Sequence, residues 1–226
     1  GNENAVAAYL RIQENYVKQF EYRHKTLGWK SGQVAEDGAL TYYHFNKYTN
    51  IRNSDVSEYN GGYKIDPAGT VEAWTEAVQS LVIGHIPLEF ALVCGFAAVI
   101  NALMQKLIPL EVIIIHIYGE SSSGKTSATQ VAVSGFGRPG KGGLIETWNS
   151  TFNAMMKSIA NNHGVPIVFD EVSIKTNANL TAIIYQLAEG REKKRLNVEI
   201  DFREQATWSG LIMFTGEHPI TEKTNQ

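Results

Sequence analysis

The sequence predicts an α/β chain, a parallel β-sheet with helices on both faces, preceded by a smaller α+β module. Three runs carry this prediction. "EVIIIHIY" is a continuous β-branched stretch of the kind a strand buried on both faces requires. "VPIVFDE" and "GLIMFTGE" repeat that character further along. Between them lie segments with helical spacing, and strands alternating with helices close a parallel sheet through right-handed crossovers.

Composition narrows the classes. The 226 residues, 43% of them hydrophobic, suffice for one α/β domain with a flanking piece and are too few for two large domains. A net charge of −3 excludes a global basic field, so any nucleic-acid contact needs a local positive patch or one assembled from several copies. The single cysteine, Cys94, leaves no internal disulfide framework and no cysteine-based zinc site, and fits a reducing, cytoplasmic setting. The N-terminal twenty residues are polar and amphipathic, unlike a signal peptide. The most apolar run, Phe90–Ile100, is shorter than the ~20 residues of a membrane helix. Bounded by Glu89 and Asn101, it reads as a buried core helix with no membrane partner.

Taken in order, Val6, Tyr9, Leu10, Tyr16, Val17 and Phe20 give residues 5–24 the spacing of an amphipathic helix. "ALTYYHFNKY" is aromatic and β-favouring and reads as a half-buried strand, although Tyr42, Tyr43, Phe45 and Tyr48 could instead stack bases. Residues 50–69 are dense in Asn, Ser, Asp and Gly and read as loops with room for a short hairpin. Thr70 caps a helix that begins "VEAW", and a second helix covers Leu88–Lys106. The boundary falls near residue 68, with an accessory module over 1–67 and the core over 68–226. After "EVIIIHIY" come a Gly/Ser loop, a helix over about 124–134, a strand at "LIETWN" and a helix at "STFNAMMKSIANN". "VPIVFDE" is the next strand, "NANLTAIIYQLAEG" a helix that Gly190 stops, and "REKKRLNVEIDFREQATW" a hairpin before "GLIMFTGE".

The chemistry begins at "YGESSSGKTSATQ". Gly119, Gly124, Lys125 and Thr126 fill the pattern G-x-x-x-x-G-K-[ST] between a strand and a helix, the context that gives this pattern its meaning. Gly119, Glu120, Ser121, Ser122, Ser123, Gly124, Lys125, Thr126 and Ser127 would form the nucleotide site. The small residues let backbone N–H groups wrap the β-phosphate at the positive end of the helix dipole. Lys125 can bridge the β- and γ-phosphates, and the Thr126 hydroxyl can ligate Mg²⁺. One βα unit later, Asp170 can hold Mg²⁺ through its water shell and Glu171 can orient or deprotonate an attacking water. A switch or a kinase needs no base there, whereas a hydrolase does. Thr215, ending the third strand with Glu217 close behind, stands where a γ-phosphate sensor would lie. A strand-end threonine bonding locally to backbone reads equally well.

"AGTVEAW", the phosphate loop, "ETWNSTFNAMM", "VFDEV", "IYQLAEGREKKR" and "MFTGE" occur in this order. In this combination the chain resembles the domain-of-unknown-function family nine-two-seven, found in phage, plasmid and mobile-element proteins, including helicases of staphylococcal cassette chromosomes. The resemblance spans roughly residues 5–220. It implies a P-loop ATPase of AAA+ type, similar to MCM-type replicative helicases, using ATP and Mg²⁺ and acting on single-stranded or forked DNA as a homo-oligomeric, hexameric ring. The hairpin over residues 191–208 would enter the ring channel, with Lys193, Lys194 and Arg195 on DNA phosphates, although "REKKR" reads equally as a solvated charged turn. Arg191, Arg195 and Arg203 are arginine-finger candidates by type only. By their position after the second strand, Trp148, Asn149 and Thr151 could face the nucleotide or order the adjoining helix, although Trp148 as a core residue and Thr151 in the first turn of that helix is the better reading. The same resemblance leads one to expect a fifth strand beside "EVIIIHIY" and a helical lid, so the core reads as truncated and weakly active or inactive by itself. Two rival functions remain at this stage: an AAA+ ATPase that remodels protein assemblies, and a hydrolysis-deficient, nucleotide-gated loader.

Overall fold

The computed structural model describes residues 2–14, 22–29, 43–44, 57–147, 152–171, 180–192 and 205–220. Its centre is a four-stranded, all-parallel sheet. The strands are β5 (Ile113–Tyr118), β6 (Ile145–Thr147), β8 (Ile167–Asp170) and β9 (Leu211–Gly216), in the order β5-β9-β8-β6. The last described strand, β9, is therefore inserted between β5 and β8.

Strand alternation sorts the side chains into two layers. Ile115, Val168 and Met213 face a cluster with α3 (Ile86–Leu107) and α4 (Lys125–Ser134), including Ala91, Cys94, Ala98, Ala128, Ala132 and Val133. Ile114, Ile167, Phe169, Ile212 and Phe214 face the opposite layer, with Met155, Met156 and Ile159 of α5 (Phe152–Ile159) and Leu187 of α6 (Leu180–Ala188). The Phe169 and Phe214 rings stack with centroids 5.6 Å apart. The expected sheet with helices on both faces is thus present.

Local signals explain several element ends. Thr70 caps α2 (Val71–Leu81), its hydroxyl accepting from the Ala73 N–H at 3.2 Å. Gly190 follows α6 with φ +71°. Two expectations are corrected in position. The N-terminal helix, α1, covers Asn2–Glu14, whereas Tyr22–His24, expected to be helical, form β1 and pair in parallel with β4 (Ser57–Tyr59). Partners distant in sequence can override local periodicity in this way. The segment expected to hold a local hairpin thus contributes a parallel strand. β5, expected to be buried on both sides, pairs with β9 alone among the described residues and leaves Tyr118 57% exposed.

The expected core helix α3 is buried on one side only. Its Ala91, Cys94, Ala98 and Ala102 lie inside, while Phe90, Val93 and Ile100 are more than half exposed. By length and composition α3 could cross a membrane, yet it packs here against α4 and β9. Residues on both sides of position 68 share one core. β2 (Leu27–Trp29) pairs antiparallel with β3 (Tyr43–His44) and in parallel with β7 (Asn162–His163). Trp29 Nε1 donates to the Val99 carbonyl of α3 at 2.9 Å. Trp74 of α2 donates to Ser134 Oγ at 3.0 Å and meets Phe96 edge-on.

α3 and α4 approach so closely that a Cβ on Gly95 would lie 2.0 Å from the Ala132 carbonyl oxygen. Gly95→Ala should therefore destabilise by roughly 1–3 kcal/mol in chemical denaturation, outweighing the ~1 kcal/mol that alanine gains in helix propensity. A second prediction concerns His163, which is buried and hydrogen-bonded to Ser209 at 3.0 Å. Burial, helped by the nearby Lys106 charge, pushes its pKa from 6.5 down to about 4. The folded chain resists a proton that the unfolded chain accepts. Stability present above pH 6.5 is therefore lost as pH falls through about 4, on the order of 3 kcal/mol for this group. His163→Gln should flatten the stability–pH curve across that window, as read by urea midpoints.

Candidate functional site

All four strands of the central sheet run the same way, so their C-terminal ends share one edge. β5 and β9 pair in register from Ile113↔Leu211 to Tyr118↔Gly216, and the Gly119 N–H then donates to the Gly216 carbonyl at 3.2 Å. The Gly/Ser loop therefore opens directly beside the end of β9. On its other side β9 pairs with β8 up to Phe169↔Phe214, which puts Asp170 next to Thr215. The Thr215 hydroxyl donates to Asp170 Oδ1 at 2.5 Å and accepts the Glu171 N–H at 3.0 Å. Gly119, Thr215, Asp170 and Glu171 thus meet at one edge of the sheet.

Gly124 caps α4 with φ +86°, a left-handed conformation that glycine adopts without steric cost. A Cβ built on Gly124 meets no heavy atom within 4 Å, so the left-handed backbone rather than lack of space calls for glycine here. Ser122 is also left-handed, with φ 63°. The Lys125 amine lies across the loop, donating to the carbonyls of Gly119 at 2.8 Å and Glu120 at 2.6 Å, with Ser123 Oγ at 3.4 Å. An anion in the loop can take over these donors. Glu120, Ser121, Ser122, Ser123, Thr126 and Ser127 are exposed. The first N–H groups of a helix lack intrahelical partners, and Lys125 adds a full charge beside them. Thr126 and Asp170 contribute a hydroxyl and a carboxylate, the hard oxygen donors that magnesium takes. The cradle and these donors fit a nucleoside triphosphate with Mg²⁺.

The two acids differ in setting. Asp170 is 5% exposed and tied to Thr215, whereas Glu171 is exposed and has φ 57°, uncommon for a residue with a side chain. The backbone thus turns abruptly at Glu171, carrying the second carboxylate out of the sheet.

Sequence reasoning overlooked Glu146 and Tyr63, which border a cleft of ≈ 300 Å³ with Lys141 and Thr147 at β6. Thr147 is the register partner of Asp170, so this cleft lies one strand away from the acids. Burial raises the Glu146 pKa, and the Tyr63 hydroxyl donates to the Ser158 carbonyl at 2.5 Å. Glu146 opens the "ETWNSTFNAMM" run but has no assigned role there, and Tyr63 belongs to no motif.

Among the expected DNA contacts, Lys193, Lys194 and Arg195 lie outside the described residues, as do Trp148, Asn149, Thr151 and Arg203. The flanking residues are in place. Arg191 bridges Thr207 in antiparallel fashion, and the Glu192 N–H donates to the Ala206 carbonyl at 2.9 Å. The chain therefore leaves and returns side by side, as the base of a hairpin does. Arg191 lies 3.9 Å from Glu189.

A solved structure described as the active helicase SCCmec type IV Cch shares this fold, with a TM-score of 0.72 and 24% sequence identity over 96% of the present chain. The chain spans 40% of the length of that helicase chain. No curated protein matches it. The model of the family described as Domain of unknown function (DUF927) matches residues 2–207. The chain accordingly belongs to the DUF927 family.

Proposed function

We propose that the chain is the ATP-binding and ATP-hydrolysing motor domain, of AAA+ type, of a replicative DNA helicase carried by mobile elements and working as an oligomeric ring. The single observation that carries this proposal is the hydrogen-bonded meeting of three strand ends. The phosphate loop, Thr215 and the Asp170–Glu171 pair share one edge through the Gly119–Gly216 and Thr215–Asp170 bonds. The fold shared with a protein described as an active helicase supports the choice of motor.

In this function Lys125 gives up the carbonyls of Gly119 and Glu120 and binds phosphate oxygens, while the loop N–H groups hold the β-phosphate. Thr126 and Asp170 would hold Mg²⁺, which when bound neutralises charge on the β- and γ-phosphates. Glu171 orients a water and takes its proton. Lys193, Lys194 and Arg195 are the residues proposed to contact DNA phosphates, and the antiparallel bridge between Arg191 and Thr207 is compatible with a hairpin carrying them.

Thermal shift tests the site. ATP with Mg²⁺ at a hundredfold its dissociation constant should stabilise the chain by ~2.7 kcal/mol, and Lys125→Ala should abolish that gain. In the full-length protein, Glu171→Gln should keep the shift and lower turnover by about 10²–10⁴-fold. Turnover without unwinding of forked DNA would redirect the assignment to a remodelling ATPase. A shift that survives Lys125→Ala would remove the cradle from the site.

A further inference from the structure

We propose that Thr215 is a positioning residue whose hydroxyl clasps Asp170 to the turn at Glu171, and that it makes no contact with the γ-phosphate. The proposal rests on the nucleotide site argued above and assigns Thr215 a task different from reading the nucleotide.

A threonine hydroxyl has one proton and two lone pairs. The proton is given to Asp170 Oδ1 at 2.5 Å, and one lone pair accepts the Glu171 N–H at 3.0 Å. A phosphate oxygen accepts hydrogen bonds and cannot donate one, so a γ-phosphate contact would require Thr215 to release Asp170. Thr215 is 1% exposed, and its backbone is held in register with Ile117 of β5. Threonine is also stiff about χ1, which opposes a swing of the hydroxyl alone.

The clasp accounts for a second observation. Glu171 has a left-handed backbone with φ 57°, a conformation that persists in a side-chain-bearing residue only when its surroundings enforce it. The bond from its N–H to Thr215 does so and sends the carboxylate out beyond the sheet edge, where it is exposed. One hydroxyl thus fixes the carboxylate proposed for the metal and the backbone that aims the carboxylate proposed for the water.

Two measurements test this. Amide hydrogen exchange, resolved at Glu171 in the unmodified chain, should show protection without nucleotide, and that protection should persist when ATP and Mg²⁺ are added. Exchange that is fast without nucleotide, or that speeds up with ATP but not with ADP, would mean that the hydroxyl is free or turns to the γ-phosphate, and either result overturns the clasp. The second measurement is ATP affinity in EDTA and in Mg²⁺. Thr215→Val should bind ATP in EDTA like the unmodified chain but lose about tenfold of the gain conferred by Mg²⁺, as a severed hydrogen bond to a charged group would produce. Thr215→Ser should restore that gain. An equal loss with and without Mg²⁺ while ADP binding stays intact identifies a γ-phosphate contact and overturns the proposal, as does a valine variant indistinguishable from the unmodified chain. If the valine variant fails to fold, the exchange measurement decides. If the unmodified chain shows no ATP-dependent stabilisation, the nucleotide site itself is wrong, whereas the exchange rate without nucleotide still reports on the clasp.

Discussion

The C-terminal edge of the sheet depends on β9 lying between β5 and β8. Leu211–Gly216 is buried along its whole length and pairs on both sides. Leu211 to Phe214 alternate between the two apolar layers, so a slip of one position would send Phe214 into the layer that holds Met213. That register also decides where the strand ends. Because Tyr118 faces Gly216 and Phe169 faces Phe214, the loop after β5 and the acids after β8 emerge on either side of Thr215. The contacts of α4 with β8 and β9 reinforce the same arrangement.

Such an edge carries polar groups that the sheet itself cannot satisfy. Asp170 and Thr215 are among the most buried polar residues of the chain, and an unpartnered carboxylate there would be costly. Their mutual bond resolves this and couples two strands by side chains just where the backbone ladder ends. Comparable solutions recur nearby. Asn101, buried in α3, donates to the Gly210 carbonyl at 2.8 Å, and Gln105 accepts the Gly210 N–H at 2.8 Å, so the same helix anchors the start of β9. Both ends of the inserted strand are therefore fixed by polar side chains, while its middle is held by apolar packing.

α3 joins the two parts of the chain. One side buries small residues against α4 and the sheet, and Val99 offers its carbonyl to Trp29. Through Trp29 and the β2–β7 pairing, the N-terminal segment is attached to the layer that carries the phosphate loop helix. The other side of α3, with Phe90, Val93 and Ile100, stays exposed.

The sequence by itself determined the local pieces. The loop at 119–124 declared its conformation through its glycines and its flanking strand and helix. The runs at 113–118, 167–170 and 211–216 declared themselves as strands, and Thr70 and Gly190 marked helix ends. These features are short-range, since each follows from a few neighbouring side chains and the backbone angles they allow. Other features arise only when residues far apart in the chain pack together. The insertion of β9 between β5 and β8, the strand at Tyr22–His24 in place of a helix, and the exposed flank of β5 all depend on which partner a segment finds. The left-handed turn at Glu171 and the doubly bonded Thr215 hydroxyl belong to the same class, because each exists only where strands β8 and β9 lie side by side. The sequence thus supplied the chemical groups, and tertiary pairing decided that they meet, because a hydrogen bond between residues 170 and 215 has no local signature.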